Sequence, residues 1–263
     1  MSETARQYQS GFGNEYASEC VAGALPQGRN SPQRAPFDLY PELISGTAFT
    51  APRHENRRSW MYRREPSVLA GRFEPYAHES WKTDAQKIVL PPEPLRWHPL
   101  PSGECENKDF IDGMTTMAAN GDVEAQTGVA AHIYRAGRSM ENRAFANADG
   151  EMLVLPQLGR LVITTELGVL DVAPGEFALL PRGLAFKVGL PDGQSRGYVC
   201  ENYGAQFRLP ELGPIGSNGL ANARDFQAPV AAYESAPGPY ELIRKSGGRF
   251  WVVPSSSSPF NVV

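Results

Sequence analysis

The sequence is poor in the side chains that most often carry chemistry: 263 residues hold only four histidines and three cysteines. Cys20, Cys105 and Cys200 are odd in number and far apart, which excludes a disulfide framework and any CxxC metal or redox motif and predicts reduced structural thiols. His54, His78, His98 and His132 form no HxH, HxD, HxE or HxxxH pair, so no metal-ligand spacing can be read from them. No apolar run approaches the ~20 residues of a membrane span, and the opening MSETARQYQSGFGNEYASE lacks the basic start and apolar stretch of a secretory signal. A cytoplasmic protein is expected. An excess of positive charge is also missing: 25 Lys and Arg against 29 Asp and Glu leave a net charge of -4, a field that disfavours nucleic acid and membrane as partners. Helical periodicity is absent over any useful length, which predicts few and short helices.

What is plentiful is turn-forming residues. Twenty-six glycines and 23 prolines accompany 41% apolar and 21% charged residues, the composition of a chain that folds with many short elements meeting at turns. Residues 1–128 read as a loop-rich segment with short edge strands packed on a barrel. Phe12, Phe37, Tyr40, Phe49, Trp60, Tyr62, Trp81 and Trp97 are numerous enough to pin it by burial. Within it, positive charge concentrates from Arg53 to Arg64, a run expected to be a solvated or subunit-bridging face, or else to meet a carboxylate.

Residues 129–263 change character, with β-branched and aromatic runs recurring at the spacing of an all-β domain. Expected strands are Ala130–Tyr134, Met152–Leu155, Leu161–Glu166, Val169–Val172, Phe177–Leu180, Ala185–Val188, Gly197–Tyr203, Gln206–Leu209, Tyr240–Arg244 and Phe250–Val253. Together they predict an all-β fold, a β-barrel or jelly roll wrapped by long N-terminal loops. Leu209–Phe226 is rich in Gly, Pro and Asn and reads as an ordered loop anchored by Leu212, Ile215, Leu220 and Phe226.

Gly175, five residues, Pro181, one residue, Gly183 and two residues lead to position 186 with the spacing of the second cupin motif. The metal-binding histidine of that motif is here Phe186, and phenylalanine cannot ligate a metal. The glycine and proline positions should bend the chain so that residue 186 points into the barrel, where its ring fills space. In the first cupin motif Phe145 and Asn147 stand where two histidines belong, Glu151 holds the carboxylate position and Gly159 comes one residue late. The barrel is therefore expected to be metal-free.

A wider likeness covers nearly the whole chain. YQSGFGNEY (Tyr8–Tyr16), LPQGRNSPQ (Leu25–Gln33), SGTAFTAPR (Ser45–Arg53), RRSWMYR (Arg57–Arg63), SMENRAF (Ser139–Phe145), LPELGPIGSNGLANARDF (Leu209–Phe226) and SPFNVV (Ser258–Val263) resemble the homogentisate 1,2-dioxygenase family. So many long blocks in one order are far more specific than a short motif. The resemblance implies Fe(II)- and O2-dependent ring cleavage of homogentisate to maleylacetoacetate, in tyrosine and phenylalanine breakdown, by a homo-oligomer. It also implies that the iron ligands and the catalytic base lie in a second half that follows SPFNVV. This chain is then the N-terminal part, truncated at Val263 and inactive alone, and no catalytic, cofactor-binding or metal residue is assigned to it. Two other readings stay open: a complete non-catalytic cupin-like binding or scaffold module, and a different cupin enzyme, such as a sugar isomerase, with its site among the four histidines.

Overall fold

A computed structural model describes residues 6–26, 35–69, 71–83, 91–94, 96, 98–100, 107–218, 221–234 and 237–263. Trp97, Leu220 and Cys105 lie outside the described residues, as does part of Leu25–Gln33. The described residues form strands and short 3-10 turns, with no α-helix.

Two sheets carry the fold. Strands β1 (Tyr8–Ser10), β2 (Tyr40–Ser45), β3 (Arg58–Arg63), β4 (Glu74–Tyr76) and β5 (Met114–Asp122) come first. They are followed by β6 (Thr127–Ala136), β7 (Arg143–Asn147), β8 (Glu151–Leu158), β9 (Leu161–Thr165), β10 (Gly168–Val172) and β11 (Ala178–Leu180). The last are β12 (Ala185–Gly189), β13 (Ser195–Asn202), β14 (Gln227–Pro229), β15 (Pro237–Ser246) and β16 (Arg249–Ser257). One sheet runs β10-β9-β12-β7-β15-β16-β4 and the other β11-β8-β13-β6-β5. A single apolar cluster draws Phe145, Ile163, Phe186, Ile243 and Phe250 from the first and Met114, Tyr134, Val154, Leu180 and Val199 from the second. The two sheets thus face each other across one core in the jelly-roll form, with no hydrogen-bonded closure into a barrel among the described residues.

Alternation explains the strands. In β6, Ala130, His132, Tyr134 and Ala136 are buried while the residues between them are not, the period of 2 that turns every second side chain inward. Nine of the ten expected runs coincide with strands, whereas Gln206–Leu209 is irregular. There Phe207 N–H donates to the Glu151 carboxylate instead of entering a ladder. Two strands carry weak β signals. In β5, MTTMAANGD includes two alanines and a glycine, and β7 is only five residues, all buried. Both β4 and β5 belong to the main sheets, ahead of residue 129.

The N-terminal aromatics divide into two groups. Trp81 and Tyr62 are buried and Phe12 packs edge-on against Phe226 with ring centroids 4.9 Å apart. Phe37, Tyr40, Phe49 and Trp60 are exposed, Phe49 to 87%, with Tyr40 opposite Arg63 and Trp60 opposite Leu43 on opposite faces of the β2–β3 hairpin. Burial therefore pins only part of this segment. In the Leu209–Phe226 loop, Leu212 is also exposed, and among the described side chains Phe226, between Phe12 and Phe177, is an anchor, while those of Ile215 and Leu220 lie outside the description.

Gly175 (φ +94°) and Gly183 (φ +83°) adopt left-handed conformations that strain other residues, and Gly183 N–H donates to Asn147 O. The bend at Pro181–Gly183 delivers Phe186 to the core, where it is 1% exposed and meets Phe145 edge-on at 5.6 Å. Phe186→Ala should empty that space and lower unfolding stability by ~3–5 kcal/mol, measured by urea titration.

Candidate functional site

The interior holds a polar centre that the apolar pattern of the strands conceals. Glu201 occupies the inward position of β13 in series with Ser195, Gly197 and Val199, and is fully buried. Its Oε1 accepts from Asn147 Nδ2 at 2.8 Å and from Lys245 Nζ. Its Oε2 faces His132 Nε2 at 3.1 Å, Trp81 Nε1 at 3.3 Å and the Tyr203 hydroxyl at 3.4 Å. Lys245, on β15 beside Asn147 of β7, is wholly buried and also donates to Asp149 Oδ2 at 2.9 Å. Asp149 in turn accepts from Gly247 N–H and Gly248 N–H, which ties the β15–β16 turn to the centre.

Two carboxylates thus share one ammonium away from water. Burial by itself would raise the Glu201 carboxyl, but Lys245 and then His132 outweigh it and hold the group at about 2, below its ordinary 4.5. The same negative neighbours, added to burial, push the Tyr203 phenol far up.

The positions marked by the cupin spacing lie around this centre and on its rim. Phe145 and Phe186 stack with Trp81, Phe110 and Phe250 into an aromatic plug. Asn147, at the second histidine position, is committed to Glu201. Glu151 is turned the other way, toward the β3 side of the molecule, where burial raises its carboxyl and Phe207 N–H is its partner. Two phenyl groups, a committed amide and a carboxylate facing elsewhere do not fit an iron ion, which needs several imidazole or carboxylate donors converging on one point. Among the described residues no three His, Cys, Asp or Glu side chains are grouped to hold a metal.

The histidines are dispersed. His54 and His98 are exposed. His132 Nδ1 meets Thr116 Oγ1 at 3.0 Å while its Nε2 meets Glu201, and His78 Nε2 meets Ile111 O at 2.7 Å while its Nδ1 accepts from Trp81 N–H. With both nitrogens of the buried His132 and of the half-buried His78 engaged, neither ring is free to ligate or to exchange protons with a substrate. The thiols of Cys20 and Cys200 are unpaired.

The basic run is not uniformly solvated. Arg63 is 3% exposed and forms ion pairs with Glu42 at 2.6 Å and with Glu166, while its Nη1 donates to Pro259 O at 2.8 Å. It clamps the β2–β3 hairpin to the sheet and to the C-terminal residues. A second buried arginine, Arg143, bonds Asp109, Asp112 and Tyr76. The signal for Glu201 and Lys245 was present in the period-2 alternation, since each follows Val199 or Ile243 at an inward step. Between the N-terminal segment and the sheets lies a half-open cleft of about 1450 Å³, bordered by Tyr16, Arg57, Trp60, Glu151, Phe177 and Val263.

Lys245→Met should strand two buried carboxylates and cost ~3–5 kcal/mol in urea unfolding. For the unsubstituted chain, Glu201 titrates at about 2 folded against 4.5 ordinarily, so its contribution is complete above pH 4.5 and lost as pH falls toward 2. Unfolding free energies measured across that window should decline, and in Lys245→Met, where burial is no longer outweighed and the folded carboxyl is raised, the decline should shrink or reverse.

Solved structures similar to this chain include a cupin-2 domain protein from Shewanella frigidimarina, at 15% identity and a TM-score of 0.28 over 34% of this chain and 78% of its own. Others are the Cnp3 cupin domain of Schizosaccharomyces pombe (14%, 0.29, 34% and 64%) and a Bordetella pertussis cupin domain (17%, 0.26, 34% and 88%). Superpositions this slight carry no argument. A family match does: residues 7–263 fit the family described as homogentisate 1,2-dioxygenase N-terminal. A match over nearly the full length agrees with the sequence blocks from Tyr8 to Val263, and the chain belongs to that family of dioxygenase N-terminal regions.

Proposed function

We propose that this chain is the metal-free structural part of a homogentisate 1,2-dioxygenase, an enzyme that opens the homogentisate ring with O2 to give maleylacetoacetate in tyrosine and phenylalanine catabolism. The observation that carries this reading is the pairing of a family match over residues 7–263 with an interior already filled by side chains. In the full-length enzyme, a bound Fe(II) would supply the oxygen-activating chemistry of ring opening. No residue described above is given a part in that step. The chain's own contribution is rigidity: the Phe145–Phe186 plug and the Glu201–Lys245 centre make a body against which a catalytic half can be held to the sub-ångström tolerance catalysis needs. A homo-oligomer in the cytoplasm is part of the same reading.

The 263-residue chain, supplied with Fe(II) and homogentisate in an oxygen electrode, should consume no O2, while the full-length protein turns over under the same conditions. Turnover by the shorter chain would overturn the assignment.

A further inference from the structure

The β2–β3 hairpin has two outer edges, and they are treated differently. On β2, Pro41 pairs with Tyr62 and removes an N–H from the outer side, a standard protection of an exposed edge. The edge of β3 carries no such block. Its C-terminal end is already occupied by residues 261–263: Arg64 N–H donates to Asn261 O at 3.2 Å, Val263 N–H donates to Tyr62 O at 3.0 Å, and Arg63 and Val262 lie opposite each other as an antiparallel bridge. Beyond Tyr62, no described residue pairs with β3 on that side.

The register identifies which groups are open. Gly46 N–H donates to Arg57 O at 2.8 Å, one step beyond the Ser45–Arg58 pair, so the backbone of Arg57, Ser59 and Met61 serves β2. The backbone of Arg58, Trp60 and Tyr62 therefore faces the other way, and Tyr62 is the one that meets Val263. Trp60 and its partner Leu43, directly opposite on β2, form an exposed apolar pair, and Arg58, Ser59, Trp60 and Val263 all border the cleft.

We propose that the open edge of β3 is the seat of the polypeptide that follows Val263 in the full-length dioxygenase, added as an antiparallel strand running from Val263 past Met61 and Trp60 toward Arg58 along the cleft. The inference rests on the reading under Proposed function, because it requires a longer chain. Continuity favours this occupant over any other. The strand is already begun in register, its next backbone groups face Trp60 and Arg58, and its direction follows the edge bordering the cleft. The register assigns partners: the first residue after Val263 lies opposite Met61, the second opposite Trp60 and the third opposite Ser59. The first and third share the face of the buried Met61 and Arg63, and the second covers Trp60 and Leu43.

Hydrogen exchange on the full-length protein tests this directly. The amides of Arg58 and Trp60 should exchange about a hundredfold or more slower than free peptide. A register-specific cross-link gives a second reading: with Cys20→Ser as background, Ser59→Cys together with a cysteine three residues after Val263 should form a disulfide, since such non-hydrogen-bonded pairs bring Cβ atoms closest. The same Ser59→Cys with a cysteine two or four residues after Val263 should not. Unprotected amides with no cross-link in an active enzyme, or cross-linking only in the other registers, would overturn the proposal while leaving the dioxygenase reading intact. Protection and the cross-link in a full-length protein without ring-cleaving activity would uphold the strand and sink the functional reading instead.

Discussion

The structure depends on a single carboxylate, that of Glu201. It is fully buried near the C-terminal end of β13, the strand between β8 and β6, and it is tolerable there only because both of its oxygens are completely engaged. Its partners come from β6, β7, β15, the Trp81 segment and the chain just after β13, so one anion sets the spacing of both sheets at once. Apolar packing of Phe145, Phe186 and Phe250 supplies area but little directional information, whereas the hydrogen bonds admit one arrangement.

The plug and the polar centre are complementary answers to the same geometric problem. A small double-sheet fold of this kind encloses a space that side chains must fill or a ligand must occupy. Rings from Phe145, Phe186 and Phe250 fill one end, and Lys245 with its two carboxylates neutralises the other. The cupin spacing of Gly175, Pro181 and Gly183 survives as a folding device, because the bend it produces is needed for packing whichever side chain follows at 186.

Much of this was legible in the residues. Recurring β-branched and aromatic runs located most strands, and the glycine and proline spacing pointed position 186 inward. Two elements escaped for physical reasons: β7 is buried on both faces and shows no alternation, and β5, though nine residues long, includes two alanines, an asparagine and a glycine of weak β preference. Buried charges such as Lys245, Arg63 and Arg143 take partners from segments distant in sequence, and only the three-dimensional meeting of those segments reveals them. For the same reason the run from Arg53 to Arg64 conceals one clamp, Arg63, among arginines of ordinary exposure.

The parallel pairing of β7 with β15 has a consequence for how the protein is made. Glu241–Lys245 aligns with Arg143–Asn147, almost a hundred positions upstream, and every other described pairing in the two main sheets is antiparallel. During synthesis β7 therefore leaves the ribosome long before β15 exists, and the large sheet has a missing rail until Pro237–Ser246 has been made. Such late, long-range closure slows acquisition of the native state and leaves a nascent chain with an unsatisfied strand flank and sticky rings, the condition that chaperones act on.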